Sequence, residues 1–296
     1  MPVYRPVQPP PPPPAADPRR ELLAAIEELP PLPRILDRLL AVLDDGNTSC
    51  AQAAAIIEKD TVLAGNVLRC VNSAYYGLPA NVSSIRHAVS LLGLSTIRNH
   101  ALAFALRRMI KGARTPPAKL YARYAQHSLA CGLLAHYLGQ QSAPEISEAA
   151  FASGLFHDIG KLLILSTFPN LLPAIMERYE LGEVDWEAAE EEVVGITHSQ
   201  ISALVLEKWK LPALMQRAVQ HHHRPAECQD QEAAALAAIV HAADVYVNQM
   251  GLEILPTRRQ GAYPTEATLQ DVGFQEQMSV VVERFKTEYE GMRGLF

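Results

Sequence analysis

The chain has 296 residues, 49% hydrophobic and 20% charged, which is enough for one large domain or two of typical size with a sizeable core. Its 26 Lys and Arg against 32 Asp and Glu leave a net charge of −6, which excludes a polybasic, histone-like mode of wrapping nucleic acid. The longest apolar stretch, Ala233 to Ala243, is interrupted by His241 and stopped by Asp244, short of the ~20 residues of a spanning helix, so no membrane segment is expected.

Twelve of the 22 prolines fall in the first 33 residues, six of them in a row from Pro9 to Pro14, so residues 1–18 are expected to be a disordered tail. That tail lacks the apolar run of a secretory signal. Cys50, Cys70, Cys131 and Cys228 are widely spaced with no CxxC, which predicts a cytoplasmic protein with buried thiols. From Arg19 onward apolar residues recur at three and four, and no alternating or β-branched run appears, so the fold is expected to be all-α, a multi-helix bundle.

Helix-start chemistry marks a first group of helices: Pro33 before ILDRLLAVL, Ser49 before CAQAAAII, Asp60 before TVLAGNVLRCV, Ser84 before IRHAVSLL and Ser95 before TIRNHALAFAL. The segment KGARTPPA, 111–118, reads as a boundary or hinge. Helices follow at about 119–139, 147–165, 169–180, 197–209, 212–223 and 232–249. This divides the chain into the tail 1–18, an N-terminal helical half 19–115, a second helical half 116–250, and a C-terminal loop and helix 251–296. The basic stretch Arg107, Arg108, Lys111, Arg114, Lys119 and the acidic run Glu177–Glu192 lack aromatic interleaving and read as solvated faces, with no nucleic-acid signal. In the last helix Phe274, Met278, Val281 and Phe285 share a face, which either caps the domain or joins two copies into a homodimer.

The informative feature is how histidines and carboxylates fall on apolar faces. Residues 157–161 read HDIGK, with Asp158 in the stripe Phe151, Leu155, Asp158, Leu162 and Lys161 one turn further on. His127 lies in the stripe Leu120, Tyr124, His127, Cys131, Leu134, Leu138. His198 shares a face with Ile201 and Val205, His222 with Met215 and Val219, and Asp244 with Val240 and Val247; His223 lies four after Val219. Any one inward histidine is ordinary core. Five helices each aiming a polar group inward, without a shared partner, would cost several kcal/mol. A divalent ion such as iron, manganese or zinc resolves that cost; Asp158 could bridge two ions, and a two-metal site suits phosphoester displacement, with Lys161 holding phosphate charge.

HDIGK with His127, His198, His222, His223 and Asp244 resembles the HD superfamily of metal-dependent phosphohydrolases. LPPLP at 29–33, IIEKDTVLAGNVLRCVNSAYYG at 56–77, SSIRHAVSLLGLSTIRN at 83–99 and EKWKLPALMQRAVQHHH at 207–223 are similar to the HDOD domain, an HD-related output domain of bacterial signalling proteins. The resemblance spans roughly 25–250 and implies that the second helical half is HD-like. Many HDOD members lack an intact ligand set; this chain keeps it. The resemblance implies His127, His157, Asp158 and Asp244 around one ion, with Asp158 bridging to a second at His198 and His222 or His223. RPAECQD after His223 departs from the DGxGYP-like segment of the related cyclic-di-GMP phosphodiesterases. His87, His100, His136, His221 and His241 match no ligand position and are expected to be structural or at the surface. NSAYYG reads either as a helix C-terminus or as the lining of a groove, and Trp209 with Pro212 as a corner between helices. Two functions follow: a regulatory protein that binds a signalling partner or a small nucleotide-like ligand, or a phosphohydrolase acting on a nucleotide or cyclic dinucleotide.

Overall fold

The computed structural model describes residues 17–44, 49–73, 76–111, 118–180, 184–255, 269–270, 274 and 278–294. Residues 1–16 of the expected tail, most of the expected hinge (112–117), the loop PTRRQGAYP and Tyr75 lie outside that set. The fold is all-α, and no strand occurs among the described residues.

The first helices are α1 (Pro18–Glu28), α2 (Arg34–Asp44), α3 (Cys50–Glu58), α4 (Thr61–Val71), α5 (Ile85–Leu92) and α6 (Leu94–Lys111). Local chemistry explains their starts. Asp17, Asp60 and Ser84 accept from the backbone N–H three residues on, and Ser49 forms a reciprocal capping box with Gln52. Ser95 is not the start of its helix: α6 begins at Leu94 after Gly93, and the Ser95 hydroxyl donates to Glu148 instead. Asn72 ends α4, where its side chain donates to Leu68 O and Val82 O and accepts from Val82 N, which is the helix-terminus reading of NSAYYG. Helix α1 packs against helices of the second half, a placement no local signal announced.

The second half contains α7 (Ala118–Ser142), α8 (Ser147–Phe156), α9 (Ile159–Thr167), α10 (Leu172–Glu180), α11 (Trp186–Val194), α12 (His198–Lys208), α13 (Ala213–Gln220) and α14 (Gln231–Val247). Helix α7 is its axis: Tyr124, His127, Cys131, Leu134 and Leu138 are all buried against α8 and α14. Two expected helices are shorter than their periodicity suggested. The 147–165 element breaks at His157–Asp158 into α8 and α9, and the 212–223 element ends at Gln220. Helix α11, inside the acidic run, had not been anticipated. Trp209 closes α12, Lys210 takes a left-handed φ of 58° and Pro212 precedes α13, making the expected corner. The Trp209 indole N–H also donates to Pro30 O at 3.1 Å, tying the connection between α1 and α2 to that corner.

The last helix, α15 (Met278–Arg293), lays Met278, Val281, Phe285 and Tyr289 against α7, with Phe285 edge-on to Tyr246. It therefore caps the domain. One segment among the described residues, Pro144–Thr167, is long and apolar enough to cross a membrane by composition, but 78% of its most apolar 18-residue window is buried in the core. Cys70 and Cys131 are buried as expected, whereas Cys50 is exposed and Cys228 half-buried, all as free thiols.

Candidate metal centre

The breaks in the helices are what build the site. Successive helical residues point about 100° apart, so His157 and Asp158 could not both face one point from a regular helix, nor could His222 and His223. The turn between α8 and α9 turns both of the first pair inward; the turn after α13 does the same for the second, with the His222 and His223 rings 4.0 Å apart. His127 from α7, His198 from the first turn of α12 and Asp244 from α14 complete the cluster. Gly160 allows the approach: a Cβ there would lie 2.1 Å from His198 O, and its N–H donates to Ser202 Oγ at 2.9 Å.

All seven residues named from the sequence as ligands come together. His127, His157, Asp158, His198, His222 and Asp244 are each no more than 2% exposed, and His223 is half-buried. Around Asp158 Oδ2 stand His127 Nε2 at 3.4 Å and His157 Nε2 at 3.5 Å; Asp244 Oδ1 is 3.3 and 3.5 Å from the same two nitrogens, which are 3.3 Å apart. Asp158 Oδ1 faces the other way, 3.2 Å from His198 Nε2 and 3.8 Å from His222 Nε2, and His223 Nε2 lies 2.9 Å from His198 Nε2. Each oxygen of one carboxylate thus serves a different group of donors. Lys161 Nζ donates to Asp158 Oδ2 at 2.7 Å from the rim, with 13% of its side chain exposed.

The residues fit metal ions on three counts. First, the outer nitrogens of four rings are already committed: Nδ1 of His127, His157, His198 and His222 donates to Leu252 O, Gly154 O, the Glu190 carboxylate and Val219 O at 3.1, 2.8, 2.6 and 2.7 Å. This fixes the tautomer and aims each Nε2 lone pair inward. Second, Asp158 Oδ1 and His222 Nε2 are buried with no hydrogen-bond partner, a costly state that a cation relieves. Third, a tetrahedral ion with bonds of ~2.0–2.1 Å to N and O separates its ligands by ~3.3–3.4 Å, close to the 3.3–3.5 Å separations of the first group.

Electrostatics agree. Burial disfavours charge on Asp158, but Lys161 and His157, with His127 and His198 close beside it, hold its carboxyl well below the usual range. Asp244 is held low in the same way, against burial, by His127 and His157. Burial likewise opposes charge on His127, yet the Cys131 sulfur with Asp158 and Asp244 raises it far above an ordinary histidine; His198, buried beside Glu190, rises to about 9. Burial and the neighbouring histidines push His222 well down and His223 down to about 3.

Two participants were not anticipated. Glu190, in the acidic run read as a solvated face, is 1% exposed: its Oε2 accepts from His198 N and Nδ1 at 2.7 and 2.6 Å, and its Oε1 accepts from Trp186 Nε1 at 2.7 Å. Its spacing from Trp186, one helical turn, was the available signal. Cys131, read as packing, has its sulfur 3.5 Å from His127 Nε2. Of the remaining histidines, His100 and His136 are buried and hydrogen-bonded, and His241 donates to His222 O at 2.9 Å.

The sequence profile of the HDOD domain matches residues 29–225, two thirds of the chain. The chain belongs to the HDOD domain family. A solved HDOD domain protein of unknown function from Geobacter sulfurreducens superposes with a TM-score of 0.73 at 22% identity, covering 94% of this chain and 95% of that one. A structure from Shewanella amazonensis SB2B, described as a candidate phosphohydrolase, gives 0.69 at 22% over 92% and 97%. One from Marinobacter aquaeolei VT8, described as a candidate signal transduction protein, gives 0.67 at 24% over 93% and 65%. These likenesses establish the HDOD fold. An uncharacterized protein of Treponema pallidum is 23% identical over 199 residues, 67% of this chain and only 38% of that protein's length.

Proposed function

We propose that this HDOD protein is a regulatory module of cytoplasmic signal transduction that acts by binding a signalling partner or a small nucleotide-like ligand, with a buried metal centre as its structural or sensing core. The observation that carries this reading is the closure of the cluster: six of its seven ligand residues are at most 2% exposed. Structural metal sites are closed, whereas catalytic ones keep a position open to substrate. His127, His157, Asp158 and Asp244 would hold one ion, and Asp158 with His198, His222 and His223 a second; zinc, iron and manganese all suit such donors. The free thiols are in keeping with a reducing compartment.

One observation favours a second reading, a phosphohydrolase acting on a nucleotide or cyclic dinucleotide. Asp158 directs its two oxygens to two donor groups, as in two-metal phosphoesterases, with Lys161 at the rim. Bound ions would supply Lewis acidity and water activation there. In that reading Asp158 would help to hold both ions, and Lys161 would neutralise the charge of a substrate phosphate.

The deciding experiment incubates metal-loaded protein with nucleotides, cyclic dinucleotides and generic phosphoesters. The regulatory reading expects the panel to remain intact while a binder raises the Tm. Turnover by the wild type that is lost in Asp158→Ala would replace it with the hydrolase.

A further inference from the structure

We propose that Cys131 adds a thiolate to the ligands of the first metal ion, His127, His157, Asp158 and Asp244; this rests on the metal-centre reading above. Cys131 follows His127 by four residues on α7, so the two share a face one turn apart. It is fully buried, and its sulfur lies with His127 Nε2, His157 Nε2 and Asp244 Oδ1 in a group whose atoms are all within 4.8 Å of one another.

Independent observations point to a cation at this spot. Nδ1 of His127 and of His157 are both spent on backbone carbonyls, which turns the two Nε2 atoms inward to 3.3 Å from each other. A neutral thiol can give its one hydrogen to His127 and has nothing left for His157. Beside it, Asp158 Oδ1 and His222 Nε2 are buried without partners. An ion with a metal–sulfur bond of ~2.3 Å and metal–nitrogen bonds of ~2.0–2.1 Å sets sulfur and nitrogen ~3.1–3.8 Å apart for angles of about 90–120°; the Cys131 Sγ to His127 Nε2 separation is 3.5 Å. When the metal–sulfur bond forms, the S–H bond breaks and its proton leaves to solvent. A thiolate in the set favours zinc or iron(II) over manganese.

The full chain is reconstituted with cobalt(II) as wild type, Cys131→Ser and Asp158→Ala, and its near-ultraviolet absorption and cobalt affinity are measured. The wild type is expected to show a thiolate-to-cobalt charge-transfer band that Cys131→Ser lacks, with affinity at least about tenfold weaker in that variant. X-ray absorption of the zinc-loaded wild type gives a readout independent of how any variant folds, with a zinc–sulfur shell expected at ~2.3 Å. Cobalt bound with the same spectrum in Cys131→Ser, or zinc surrounded by nitrogen and oxygen alone, overturns the thiolate ligand while leaving the centre standing. A wild type that takes up no metal overturns both.

Discussion

Gly160→Ala probes the link between helix packing and the site. A Cβ at this position would sit 2.1 Å from His198 O and 2.9 Å from Ser202 Oγ, while side-chain carbons essentially never come within 3.0 Å of such an atom. Helices α9 and α12 must therefore separate by about 0.9 Å, and the atom in the way is backbone, which cannot swing aside as a side chain would. Overpacking of this kind costs about 1–3 kcal/mol, and the rigid obstacle puts this case at the upper end, a fall in Tm of about 6–12 °C. The same displacement pulls His198 from Asp158, 3.2 Å away across the cluster, so metal affinity should fall about 10–100-fold. Thermal unfolding and chelator competition measure both effects. Gly65→Ala in α4 is the control: nothing lies within 4 Å of its would-be Cβ, and Ala is the better helix former, so Tm should hold or rise slightly. Wild-type stability and affinity in Gly160→Ala would refute the account of how HDIGK docks on α12.

Glu190→Ala leaves the His198 backbone N–H and Nδ1–H without their acceptor, so metal affinity should drop about 10–100-fold in a competition titration even though Glu190 faces away from the ions. The buried His100–Glu288 pair, 2.9 Å apart, sets a pH window for the docking of α15. Burial opposes charge on His100, but Cys70 and Glu288 raise it from 6.5 to about 10; its contribution is full below about pH 6.5 and is lost as pH rises through about 10. Glu288 is lowered from 4.5 against burial by His100 and Tyr137, so its contribution is present above about pH 4.5 and is lost as pH falls through its depressed value. Glu288→Gln should therefore cost roughly 3–5 kcal/mol between about pH 4.5 and 6.5, and its Tm should converge with the wild type toward pH 10. A Tm difference that does not change with pH would contradict the pairing.

Helical periodicity made part of this site legible. His127 and Asp244 sit in unbroken apolar stripes, and their inward placement follows from the 3.6-residue repeat alone. The pairs His157–Asp158 and His222–His223 break that logic, because neighbours on a helix cannot share a target; the turns that reconcile them carry no Gly or Pro to announce them. Glu190 was hidden by its company: eight acidic residues in the sixteen from Glu177 read as solvent-facing, when one of them lies beneath His198. Cys131 was visible in the His127 stripe, but a buried thiol is so often packing that its chemistry shows only once the facing helices are in place. The docking of α1 on the second half is a tertiary choice with no local signature.

If the inward histidines and carboxylates hold metal, Asp158, which faces both donor groups, is the residue to remove. Elemental analysis of purified wild type beside Asp158→Ala is the direct measurement. About one to two equivalents of a transition metal in the wild type, lost in the variant, is the expected result for a carboxylate shared between two ions. No metal in either protein after reconstitution would contradict the account and make the cluster a hydrogen-bonded core.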